Sequence, residues 1–469
     1  MAKVPKLPID PTFPQLTSVA DMGYMLPLFQ EMLNAKIAKV RIDRFQYVPF
    51  KSCTINYELD MYSNGSEQTE RKLMYGLLRN REAVPARPAP PTYKLSQLDM
   101  ELWAFPDDPK LPHLANFLDA DFLLALVNEP QSLFELTQKD SLVQNGRFQT
   151  VKTKVIKYVP EGRCVLQHSL WQGDVTMPPL ILYSKTFLRA DGERNCHIMR
   201  DLWESSQKQG DALRIPQPYF FAAHLDTLFL EALPGVIASD VMEDEELLLF
   251  APQCGELLSA FQQCHVSGLD GALEEVDNAT RLAHDSQQQL AAYYKVEKLL
   301  VDYDEALLPI LSNIRNELER QLPELDEVPM TLIHTAFRFS QMMVDNGRLA
   351  LLDFDGLENG NPLHDVGSFV AHLYKLHGKH GLALSKAEAA AHQFCQAYDD
   401  AAPWGGNEAW VAWQTAVILI SKHAKRCIKR ARKNPDGQIQ TYLTLATELL
   451  SGKRLNSLGS AVGETDFES

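Results

Sequence analysis

An apolar run, Leu349-Ala350-Leu351-Leu352, stops at a carboxylate, Asp353, and the turn Phe354-Asp355-Gly356 follows. Residues 331–356 read as strand, loop, strand and tight turn, with His334, Ala336, Arg338 and Gln341 in the loop. A carboxylate where a strand gives way to a turn can face a cleft and hold a divalent cation through hard oxygen ligands. Further upstream, Lys185 is the lone charged residue in the largely apolar strand candidate Pro179 to Phe187. A lysine on the buried side of a strand needs an anionic partner, either a carboxylate or phosphates.

The elements that position these groups include a local repeat. Tyr47-Val48-Pro49-Phe50-Lys51-Ser52-Cys53 is matched by Tyr158-Val159-Pro160-Glu161-Gly162-Arg163-Cys164. Each follows a β-type stretch, Val40 to Gln46 and Val151 to Lys157, and each precedes period-two alternation, the mark of a half-buried strand after a turn. A third strand candidate follows both hairpins, and with the tyrosines aligned Leu77 stands where the second copy has Lys185. Between the copies, Pro85 to Pro91 reads as an extended Pro-rich connector. After the second copy come a helix at about Glu193 to Lys208, strands near Tyr219 to Ala223 and Thr227 to Glu231, and a hinge at Glu231 to Gly235. Beyond the hinge, helical periodicity runs over Pro252 to His265, Ala279 to Arg320, Asp365 to Leu376, Lys386 to Tyr398, Glu408 to Arg432 and Gln438 to Leu450. Pro252 fits the first turn of its helix, where a missing N–H costs nothing.

On these residues the chain resembles the aminoglycoside/choline kinase-like phosphotransferases. Hairpin, strand lysine, helix glutamate, hinge, catalytic loop, metal aspartate and Asp365-Val366-Gly367 fall in the family's order over roughly residues 150–450. The resemblance implies an α+β, protein kinase-like two-lobed fold: a small β-rich N-lobe (146–232), a helical C-lobe (233–453) and an acidic disordered tail (454–469). Residues 1–145 would add a domain like a partial second N-lobe. It implies ATP and Mg²⁺ as cofactors and a small hydroxylated molecule as acceptor. Lys185 would contact the nucleotide phosphates, with Glu193 as its helix partner and Asp201 as competitor. Glu231 and Leu233 would offer hinge backbone to adenine, Asp353 would bind Mg²⁺, and Asp365 would brace the catalytic loop.

The departures bear on activity. The family's catalytic Asp falls on Ala336, its preceding Gly on Thr335 and its metal-binding Asn on Gln341. Alanine can neither orient an acceptor hydroxyl nor take its proton, and losing a positioned base costs about 10²–10⁴ in rate. Asp355 and His334 are the residues within reach for a displaced base. The expectation is a nucleotide-binding, catalytically impaired phosphotransferase-like protein. The alternatives are an active small-molecule kinase with a displaced base, and a pseudokinase scaffold with a protein partner.

Composition sets the outer limits. With 45 Lys and Arg against 61 Asp and Glu, the formal charge is -16, which argues against nucleic-acid binding. Seven scattered cysteines without a C-x-x-C pair suit a reducing compartment and do not suggest zinc. The longest apolar stretch, around Trp410 to Ile420, is too short to span a bilayer, and a cytoplasmic protein without membrane attachment is expected. One feature runs against the acidic grain: of Lys422, Lys425, Arg426, Lys429, Arg430, Arg432 and Lys433, most share one broad helix face. It reads as a solvated face, or as a surface for a phosphate-rich ligand or an acidic partner.

Overall fold

In the computed structural model the described residues are 7–63, 68–129, 147–188, 191–242, 244–269, 286–322, 329–405, 407–430 and 434–454. They divide into two compact units, one within 1–196, 217–232 and 428–433, the other within 197–216, 233–427 and 434–469.

The first unit holds two five-stranded antiparallel sheets. Strands β1 (Ile37–Val48), β2 (Ser52–Tyr62), β3 (Thr69–Arg79), β4 (Tyr93–Leu95) and β5 (Met100–Ala104) lie in the order β1-β2-β3-β5-β4. Strands β6 (Thr150–Val159), β7 (Arg163–Trp171), β8 (Leu180–Thr186), β9 (Pro218–Ala222) and β10 (Thr227–Glu231) repeat it as β6-β7-β8-β10-β9. Alternation decides which face is inward: in β7, Cys164, Leu166, His168 and Leu170 are buried while their neighbours are not. Register places Leu77 opposite Thr54 and Lys185 opposite Val165, so the two positions correspond strand for strand.

Each sheet is pinned by an aspartate that reading the sequence alone does not single out. Asp10 accepts hydrogen bonds from the Tyr47 hydroxyl (2.7 Å) and the Phe50 amide (2.9 Å). Asp108 accepts the same pair from the Tyr158 hydroxyl (2.7 Å) and the Glu161 amide (2.8 Å). Phe50 and Glu161 both take left-handed backbone, at φ 58° and 55°. The signal was in the sequence as Asp10-Pro11-Thr12-Phe13-Pro14-Gln15-Leu16 against Asp108-Pro109-Lys110-Leu111-Pro112-His113-Leu114. Farther on in each segment, Asp21 caps the helix Met22–Leu33 and Asp119 caps Ala120–Val127.

The structure corrects the reading in three places. Pro85 to Pro91 lies within the first sheet's span, joining β3 to β4, because Met100–Ala104 return as β5 beside β3. The corresponding connection in the second sheet carries the helix Asp191–Ser206. Pro252 sits in the interior of a helix, Asp244–Gln262, rather than opening it. The helix read as Ala279 to Arg320 is two helices, Ser286–Tyr303 and Leu308–Arg320, parted where Asp304 caps a short turn and Pro309 enters the next helix; residues 279–285 lie outside the described residues.

The second unit is helical around two small sheets, Val236–Ile237 with Met342–Asp345 and Arg348–Leu351, and Thr331–Ile333 with Glu358–Gly360. The helices Asp244–Gln262 and Leu384–Ala401 approach so closely that a methyl on Gly255 would lie 2.5 Å from the Phe394 carbonyl oxygen. The helix Leu363–His380 is buried along nearly its whole first half.

Candidate functional site

The loop after Thr331–Ile333 is held from below by the first turn of the helix Leu363–His380. Asp365 is wholly buried there, and its two oxygens accept the His334 amide at 2.5 Å and the Thr335 amide at 2.8 Å. Hydrogen bonds to a charged acceptor contribute about 1.5–3 kcal/mol each, so this residue fixes the loop's start. Thr335 stands in left-handed backbone, φ 62°, where glycine would be unstrained. Its hydroxyl donates to the Gly356 carbonyl at 3.1 Å.

His334 is fully buried among Phe261, Phe337 and Phe354. Its Nε2 donates to the Leu352 carbonyl at 2.8 Å, which ties the loop to the end of strand Arg348–Leu351. Nδ1 is buried without a hydrogen-bond partner. Burial holds the ring below the usual imidazole range against the pull of Asp365. In this geometry the ring is a tie between loop and strand, enclosed away from any solvent-borne reactant.

Asp353 follows that strand in left-handed backbone, φ 65°, and the amide nitrogen of buried Gln341 reaches its carboxylate at 3.0 Å. The two residues read as metal-binding candidates are therefore in contact. The Leu352 amide donates to the Gln341 carbonyl at 2.8 Å and holds them in step. A carboxylate and an amide are hard donors, and Mg²⁺ needs only one or two such side chains when phosphates and water complete its shell. Among the described residues no three His, Cys, Asp or Glu side chains gather as a metal-binding set. The donor set fits a nucleotide-borne magnesium, provided the amide turns to offer its oxygen. Asp355 is partly buried in the same turn, and Ala336, read above as standing where the family has its base, is partly exposed.

The remaining candidates are distributed between the units. In the first, Lys185 is 7% exposed on β8, between Val165 and Leu228, with its amine 5.6 Å from the Phe187 ring centre. Glu193 is exposed in the first turn of the helix Asp191–Ser206. Glu231 closes β10, exchanging hydrogen bonds with Gln217: its amide donates to the Gln217 carbonyl at 2.9 Å and its carboxylate accepts the Gln217 amide at 3.0 Å. In the second unit, Leu233 is buried and Asp201 accepts a hydrogen bond from Ser267.

The sequence reading put Lys422 on a basic helix face and did not bring it to the loop. The helix expected over Glu408 to Arg432 is regular only to Ile418; Leu419–Ala424 form a π-helical turn before Lys425–Lys429 resumes. The turn brings Lys422 onto the loop, where its amine donates to the Thr335 carbonyl at 3.1 Å and to the Ser368 hydroxyl at 3.4 Å. Residues 431–433 lie outside the described residues, as does nearly all of the tail.

Residues 190–405 match the model of the phosphotransferase enzyme family. The match covers a little under half of the chain, and the described elements are α+β in organisation. No curated protein matches the chain. Among solved structures it is similar to a thermostable mutant of an aminoglycoside phosphotransferase in a ternary complex with ADP and hygromycin B, at 14% identity over 69% of this chain and 98% of that one, TM-score 0.44. It is also similar to ethanolamine kinase from Plasmodium vivax, at 11% identity over 71% and 95%, TM-score 0.42. Choline kinase from Cryptosporidium parvum gives 11% identity over 68% and 95%, TM-score 0.42.

Proposed function

We propose that this phosphotransferase-family protein binds ATP with Mg²⁺ and transfers its γ-phosphoryl group very slowly or not at all. The observation that carries the reading is the pairing of Asp353 with Gln341 beside a loop whose base position is Ala336. Asp353 and Gln341 would hold the magnesium, which would supply charge neutralisation to the transferring phosphates. Lys185 would meet those phosphates, with Glu193 as its helix partner, and Glu231 and Leu233 would present backbone to the base. Phosphoryl transfer is mostly positioning and charge stabilisation, and the acceptor's proton has no carboxylate waiting for it at residue 336. Neither His334, tied to Leu352, nor Asp355 is assigned that role in this reading.

The first sheet is read as a repeat of the second that has lost the phosphate-contacting lysine at Leu77. Supporting this are the shared strand order and the paired aspartates Asp10 and Asp108. On this reading residues 1–145 are an added N-lobe-like domain before an N-lobe (146–232) and a C-lobe (233–453). Among the described residues no helix is long and apolar enough to cross a membrane, and a cytoplasmic setting is read from seven scattered cysteines without a C-x-x-C pair.

Calorimetry with ATP, with and without Mg²⁺, tests the reading. Magnesium-dependent binding is expected; no heat at millimolar ATP would exclude the nucleotide, and rapid phosphorylation of a small alcohol would exclude the impaired catalyst.

A further inference from the structure

Beside Ala336 the second unit has a small pocket lined by Arg338, Ser368, His372, Lys375, Lys422 and His423. None of the described residues lining it is a carboxylate. Its free volume is about 10 Å³, room for an atom about the size of a water oxygen. His372 is only 5% exposed and neither ring nitrogen has a hydrogen-bond partner. A buried polar group left without a partner is costly, so two such nitrogens at the wall of a basic pocket mark a place for a ligand's atoms. The π-helical turn Leu419–Ala424 is what delivers Lys422 and His423 here, and such turns often stand at functional sites.

We propose that this pocket binds one oxygen of a small-molecule oxyanion, a phosphate monoester or a carboxylate, beside the position of the absent base. Arg338, Lys375 and Lys422 line a space that admits a single oxygen, so the rest of the anion stays at the mouth. The fields are strong because they are poorly screened. Burial, then Arg426 and Arg338, lowers the Lys422 amine to about 7, with Asp365 pulling the other way. Burial, then Lys375, Arg338, Lys422 and His380, holds His372 well below its ordinary range. An anion relieves that crowding, and an uncharged or cationic ligand does not. That the anion belongs to the phosphoryl acceptor rests on the function proposed above; the pocket itself does not.

The test uses the full chain without nucleotide. Inorganic phosphate and, separately, acetate are titrated while the imidazole resonances are followed by NMR. Saturable shifts confined to two rings, assigned by His372→Gln and His423→Gln, are expected with at least one of the anions; which one saturates first separates phosphate from carboxylate ligands. Arg338→Gln and Lys375→Gln should each weaken that binding about tenfold, the scale of one lost charge-assisted hydrogen bond, and Lys185→Met should leave it unchanged. If Arg338→Gln does not fold, Lys375→Gln, on a partly exposed helix position, reads the same effect. No saturable shift with either anion at millimolar concentration overturns the proposal. So does anion binding that survives both pocket variants and disappears in Lys185→Met, which would put the anion in the nucleotide site. Failure of ATP binding with anion binding intact would remove the nucleotide reading and leave this one standing.

Discussion

On the function proposed above, Ala336 is the residue on which activity turns. Installing the missing carboxylate as Ala336→Asp is expected to raise phosphoryl transfer or ATP hydrolysis by about 10²–10⁴, the worth of a positioned base, as followed by ADP release. No change would mean that the loop, and not only its side chain, has departed from working geometry. The loop's own integrity rests on Asp365. Its replacement by alanine strands the amides of His334 and Thr335 and should cost about 3 kcal/mol or more in urea unfolding. These residues were legible in the sequence because their types and order are distinctive. The contact of Gln341 with Asp353 was not, since twelve positions of chain and a tight turn decide whether two side chains meet.

At the scale of elements, the two sheets share a pin that local strand pattern does not disclose. Asp10 and Asp108 each bind a tyrosine hydroxyl from a distant strand. Either one changed to alanine leaves a buried phenol and a turn amide without acceptors, and a loss of about 3 kcal/mol is expected. Tyr158→Phe combined with Asp108→Ala should cost less than the sum of the two, because the second change removes nothing further from that bond. The strands themselves were legible from alternation, and the turns from Pro and Gly. Where reading failed, a neighbouring element overrode local pattern. The Pro-rich stretch reads as a connector between the two copies, yet β5 returns beside β3 and keeps it within the first sheet. The basic helix looked like a solvated face because a 3.6-residue period was assumed through Leu419–Ala424, where one wider turn re-aims every side chain after it.

At the scale of the whole molecule, four buried histidines among the described residues set the response to acid. Burial lowers His168 to about 4, although its ring contacts the Thr153 and Ser184 hydroxyls at 2.9 and 2.7 Å. His334, His372 and His423 are shifted in the same direction, with burial the largest cause for each. All four are lower in the folded chain than in the unfolded one, so the unfolded state takes up protons first as pH falls through about 6.5. Stability is full above that pH and is lost on acidification towards 4; His168 alone accounts for about 3 kcal/mol of that loss. Urea midpoints at pH 7.5 and 5 should show it, and a midpoint that rises on acidification would contradict it. The connection between β3 and β4 has a mechanical consequence. Arg87, in its middle, is ion-paired to Glu161, Tyr75 stacks on Trp103 across β3 and β5, and Leu73 packs into the second sheet's core. A protease nick beside Arg87 therefore severs the covalent thread without separating the halves. The two fragments should travel together through gel filtration and come apart only in denaturant, so the amino-terminal piece can be expressed and added back as a removable part.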